Sequence, residues 1–137
     1  MTKIIFFLAT TIFTLVFSAN AQVYLGAHLN DIKKEHPNGK LEPNQQIGYV
    51  YQATVKSQND HLVFMLDQQL YCYITIVSPL TSGSVQAWVE LLNKQWVIVD
   101  DYHWKFYRKD GNIVLCEMRT IEDVEYPCFR YSIAKRP

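Results

Sequence analysis

Three kinds of side chain in this sequence are suited to holding metals or moving protons and electrons. They are Cys72, Cys116 and Cys128; His28, His36, His61 and His103; and the carboxylates, among which Asp100 and Asp101 are the adjacent pair of aspartates. A zinc centre needs such residues at recognisable spacings, and neither His-x-x-x-His nor Cys-x-x-Cys occurs here. His28 and His36 are eight residues apart and would share one helical face, but Pro37 frays that end. No metal and no cofactor is expected.

A cysteine nucleophile needs a base beside it and an accessible, electropositive setting. Cys72 lies between Tyr71 and Tyr73 in an alternating run, which groups it with Leu70, Ile74 and Ile76 on an apolar face and makes it inert core. Asp100 and Asp101 are successive, so their side chains diverge, and they read as a turn cap before His103. A small hydrolase-like enzyme would draw on His61 or His103 with Asp100 or Asp101, but no Gly-x-Ser-x-Gly elbow or phosphate-cradling glycine loop accompanies them. No catalytic residue is assigned.

The N-terminus bears on the cysteines. Lys3, two apolar runs interrupted by threonines and the exit Ala19-Asn20-Ala21 have the form of a secretory signal peptide, with cleavage expected after Ala21. The run is short and has no basic flank on its far side, which argues against a retained membrane helix. Residues 22–137 would then form one exported domain, periplasmic or secreted, where disulfides are permitted. Cys116 and Cys128 face each other if 112–118 and 127–134 pair around a loop near Glu122, and they are the candidate bridge. The alternative is three buried free thiols.

Those residues must be positioned by elements that the hydrophobic period reveals. "YLGAHLNDIKKEHPNGK" reads as a short helix with His28 or Asn30 as cap and Pro37 and Gly39 as its stop. From Ile47 the period changes to two, giving three strands within 47–56, 61–66 and 69–78 joined by polar turns. Val85, Trp88, Val89, Leu92 and Trp96 then fall at helical spacing, with Ser82 or Ser84 as cap. About four strands follow, including a hairpin at Asp110-Gly111. The expected fold is α+β: two successive helix-plus-antiparallel-meander units forming a twisted sheet with helices on one face.

Lys3 aside, 12 Lys and Arg oppose 13 Asp and Glu, with no block of like charge, so nucleic acid and anionic lipid are poor partners. What remains is an aromatic surface. Tyr49, Tyr51, Tyr71 and Tyr73 alternate opposite to Val50, Cys72 and Ile74, and Lys105 and Tyr107 extend that face in the second meander. If that side of the sheet is open, these six residues form an amphipathic patch for a protein or glycan in the bacterial envelope.

The stretch Gly26-Ala27-His28-Leu29-Asn30-Asp31-Ile32 behind a signal peptide resembles the opening of small exported domains of the outer-membrane-assembly lipoprotein and beta-lactamase-inhibitor-protein superfold. The chain is also similar to small exported proteins of unassigned function from Bacteroidetes-like bacteria. The resemblance implies helices preceding an antiparallel meander, and a protein-binding module. It departs in having one short opening helix rather than a pair and in lacking a lipid-bearing cysteine, and no motif carries binding residues over. The expected function is a non-enzymatic binding or accessory module; the alternatives are the small enzyme above and a structural envelope component whose edge strands join a larger assembly.

Overall fold

The computed structural model describes residues 24–134. The expected signal-peptide cleavage after Ala21 falls outside them. In chain order the elements are α1 (Leu29–Glu35), β1 (Lys40–Asn44), β2 (Gly48–Val55), a 3-10 turn (Lys56–Gln58), β3 (Asp60–Leu66), β4 (Cys72–Pro79), α2 (Ser82–Gln95), β5 (Val97–Asp100), β6 (His103–Tyr107), β7 (Ile113–Arg119) and β8 (Cys128–Ile133). The fold is α+β, with one eight-stranded sheet ordered β1-β2-β3-β4-β8-β7-β6-β5. Each helix is followed by a four-strand antiparallel meander, and the two meanders join through the antiparallel pair of β4 with β8.

Helix α1 has only seven residues, too few to hold itself together in water. His28 caps it, its Nδ1 accepting the Asn30 N–H at 3.1 Å, and Leu29 and Ile32 bury its apolar side. In α2 the cap is Thr81, whose hydroxyl accepts the Ser84 N–H at 3.1 Å. The expected Ser82 and Ser84 do not cap it, because the extended residue that precedes the first turn is Thr81.

One face of the sheet carries the core. Tyr51, Leu62, Phe64, Val77, Phe129, Tyr131, Val114, Cys116 and Trp104 run across it, all buried. Both helices pack on this side. Tyr24 and His36 meet Phe64 at ring-centroid distances of 5.2 and 5.9 Å, while Trp88 meets Phe129 at 6.2 Å and Trp96 meets Phe106 at 5.2 Å. The Trp104 indole N–H reaches Asn93 Oδ1 of α2 at 2.9 Å.

Strand β1 was not expected. Its sequence, Lys-Leu-Glu-Pro-Asn, is exposed at every position, so no alternation marks it, and Pro43 is tolerated because an edge strand has a free side. Its register, Lys40 opposite Gln52 through Asn44 opposite Gly48, nevertheless adds a fourth strand to the first meander. The hairpin at Asp110-Gly111 is present, with Gly111 at φ 88° and Asp110 Oδ1 accepting the Asn112 N–H at 2.9 Å.

Candidate functional site

The six residues expected to form one patch are not brought together. Tyr51 is 1% exposed and points under α1, its hydroxyl donating to the His36 carbonyl. Tyr49 packs half-buried against the same core. Gly39 lies so close over the Tyr51 ring that a Cβ there would come within 2.2 Å of it, which fixes the residue above Tyr51 as glycine. The side of β2 that carries its tyrosines is the side the helices cover. Sequence alternation groups residues by face but does not say which face is roofed, and both faces of β2 and β3 are apolar enough to be roofed.

Tyr71 and Tyr73 are exposed, for a reason the alternation hid. The register of β3 with β4 shifts between Met65 and Leu66, so Leu66 faces Cys72 while Met65 faces Ile74, and Tyr73 is the extra residue. Cys72 therefore belongs to the covered face and Ile74 and Ile76 to the other, not all to one as the alternation suggested. Tyr71 lies before the bulge, edge-on to His28 at 5.1 Å, and the Tyr73 hydroxyl reaches the Ile47 carbonyl at 3.4 Å. Tyr107 is also exposed and Lys105 is half-buried, both on the uncovered side of β6.

That uncovered face is continuous. Val50, Met65, Ile74, Ser132, Leu115 and Lys105 follow one another across β2, β3, β4, β8, β7 and β6. The next row is Gln52, Val63, Ile76, Arg130, Glu117 and His103. The half of the face from β2 to β4 is aliphatic, and the half from β8 to β6 is charged. At the charged end Asp100 Oδ1 stands 2.7 Å from His103 Nδ1, Glu117 Oε1 stands 3.8 Å from His103 Nε2, and Arg119 Nε stands 3.0 Å from the same Glu117 oxygen. The Tyr102 amide and His103 together hold the Asp100 carboxyl below the usual carboxylate range.

No family model, curated protein or solved structure matches this chain. Function is therefore read from the molecule's own surfaces.

Of the pairs an enzyme would need, the fold makes one, His103 with Asp100, and leaves it on an open surface. His61 bonds instead to Thr54 Oγ1 and Gln52 Oε1, each at 2.9 Å. Among the described residues no group of three or more His, Cys, Asp or Glu is placed to hold a metal ion, and no helix is long and apolar enough to cross a membrane.

On the roofed side a cleft of about 1020 Å³ opens between the end of α1 and α2, lined among others by Glu35, His36, Leu62, Phe64, Thr75 and Trp88. In its wall the Tyr24 hydroxyl donates to Glu35 Oε2 and lies 3.2 Å from His36 Nε2. A phenol has one hydrogen to give, so His36 Nε2 carries the proton and donates to the Tyr24 oxygen. Burial lowers the His36 pKa despite the opposing pull of Glu35, and burial followed by the Glu35 bond raises that of Tyr24. The Tyr24 hydroxyl thus stands between the Glu35 carboxyl and the His36 imidazole, bonded to both. Sequence reasoning missed it because Tyr24 precedes the helix that carries Glu35 and His36, and no spacing rule links them.

The candidate bridge does not form. Cys116 lies opposite Tyr131 and Cys128 opposite Arg119, three residues apart on β7, so alternation sends their side chains to opposite faces. All three cysteines are buried and free. Burial pushes the Cys72 thiol up to about 11 and raises Cys116 and Cys128 as well, so each stays a thiol at neutral pH. The folded protein should react negligibly with Ellman's reagent at pH 8, and three thiols should appear in denaturant without reductant; one thiol would mean a bridge.

Proposed function

We propose that this chain is an exported, non-enzymatic binding module whose uncovered sheet face docks a folded protein partner. The observation that carries this reading is the pair of cross-strand aliphatic rows, Val50-Met65-Ile74 and Val63-Ile76, on the face that neither α1 nor α2 roofs. A contiguous apolar area beside a charged rim is the usual composition of a protein interface. The balanced charge gives nucleic acid no footprint. A glycan is less well served than the sequence suggested. Stacking on sugar needs neighbouring aromatic rings, and with Tyr51 buried the exposed tyrosines of the expected patch are Tyr71 and Tyr73 at the start of β4 and Tyr107 on β6, with β8 and β7 between them. Export rests on the leader-like N-terminus, and the resemblance to exported protein-binding domains points the same way.

The test places a photo-crosslinking residue at Met65, and separately at Glu90 on the exposed side of α2, in the producing cell. A discrete adduct from position 65 that is absent from position 90 is expected. Ile76→Glu should abolish that adduct while leaving the protein folded, at a cost of about 1 to 3 kcal/mol for a charge at a partly buried strand position. Equal adducts from both positions, or none from 65, would refute the docking face.

A further inference from the structure

The two edges of the sheet are built differently. Strand β1 carries Lys40, Glu42 and Pro43, the charges and proline that keep an edge from pairing. Strand β5 carries none of these over Val97, Ile98 and Val99, which are 51%, 56% and 50% exposed, and Tyr102 beyond it is 57% exposed. A bulge sits here too, with Ile98 opposite Trp104 and Asp100 opposite His103, so Val99 is the extra residue. It does not hide the edge. All three aliphatic side chains remain outside, in a strand of high β-propensity whose outer backbone groups pair with no strand among the described residues.

We infer that β5 pairs with β5 of a second copy of this chain, antiparallel, to form a symmetric dimer with one continuous sheet. The occupant is a second copy because the segment is complementary to itself. Lys94 lies in the last turn of α2 on one side of Val97–Val99, and Asp100 and Asp101 follow on the other. Antiparallel self-pairing about Ile98 sets Val97 against Val99, and brings the Lys94 end of each copy to the Asp100–Asp101 end of the other. Parallel pairing would instead oppose like charges. A two-fold axis through such a pair stands normal to the sheet, so the contact is isologous and closes at two copies. It also leaves both sets of helices on one side, which merges the two uncovered faces into a single surface. The strand is short, so the dimer belongs among small, weak interfaces and should dissociate on dilution.

Sedimentation velocity of the mature chain over a wide concentration range tests this. Reversible dimerisation is expected. Val99→Lys, which gives β5 the kind of guard β1 already has, should leave a monomer with an unchanged melting curve. Lys94→Glu should weaken association about tenfold or more through like charge, and Lys94→Glu with Asp101→Lys should restore most of it. A wild-type monomer at every concentration, a dimer indifferent to Val99→Lys, or a charge exchange without recovery would each overturn the proposal. None of these outcomes bears on the crosslink from Met65, so dimerisation and partner docking fail separately.

Discussion

Tyr51→Ala should destabilise the protein by about 3 to 5 kcal/mol, the cost of truncating a fully buried aromatic side chain. The ring is 1% exposed, lies 6.3 Å from Phe64, and is roofed by Gly39 of the α1–β1 loop. Its removal leaves a cavity beneath a loop that cannot follow it down, because β1 holds that loop in register from Lys40 onward. Tyr51→Phe should cost about 1 kcal/mol, since only the hydrogen bond to the His36 carbonyl is lost, and that carbonyl keeps the Gly39 N–H at 3.3 Å. Tyr73→Ala, by contrast, should change stability by no more than about 0.5 to 1 kcal/mol, because its ring is 39% exposed. Urea unfolding of the three variants orders them. A Tyr51→Ala variant as stable as wild type would return Tyr51 to the surface and the roof of the sheet to its other side.

The contrast between two tyrosines that share a sequence face shows where the pattern of letters stops. Period two assigned Tyr49 and Tyr51 to one face and Val50 to the other correctly. It did not identify the roofed face, since that depends on which side α1 and α2 fold onto. Nor did it show the bulge at Tyr73, which depends on how β3 and β4 close their turn. The second helix was legible because Val85, Trp88, Leu92 and Trp96 repeat at helical spacing over about three turns. The Asp110-Gly111 turn was legible because few dipeptides accept that geometry. Strand β1 was not, because an edge strand exposed on both faces has no reason to alternate.

The cysteine pairing failed for a related reason. The hairpin of β7 with β8 is real, but its register is set by the whole sheet, through Thr75 opposite Tyr131 and Tyr131 opposite Cys116. A shift of odd number along a strand moves a side chain to the other face. The sequence located the hairpin but centred its loop near Glu122, which set Cys116 opposite Cys128, whereas the sheet sets Cys116 opposite Tyr131.

Asp60 is the functional group of the core that sequence reasoning passed over, read only as part of a polar turn. It is 2% exposed at the start of β3, where its two carboxylate oxygens accept the Ser84 hydroxyl and, at 3.0 Å, the Trp88 indole N–H. One side chain thereby ties α2 to the first meander. Asp60→Ala should cost about 2 to 4 kcal/mol, because two buried donors lose their acceptor together. Asp60→Asn should cost much less, since an amide accepts from Trp88 and donates to the Ser84 oxygen. Acidity separates the two forms further. Burial raises the Asp60 pKa above 3.8, and the bonds from Ser84 and Trp88 offset only part of that. The folded protein then holds a proton that the unfolded chain has released, so stability falls as pH rises from about 4 through the folded-state pKa. Asp60→Asn removes that term. The stability of wild type relative to Asp60→Asn should therefore be greatest below pH 4, decline across that window and level off above it. Urea unfolding of both proteins at half-unit steps from pH 3.5 to 8 measures the difference. A difference that grows with pH instead would mean that the two donors favour the carboxylate more than burial disfavours it.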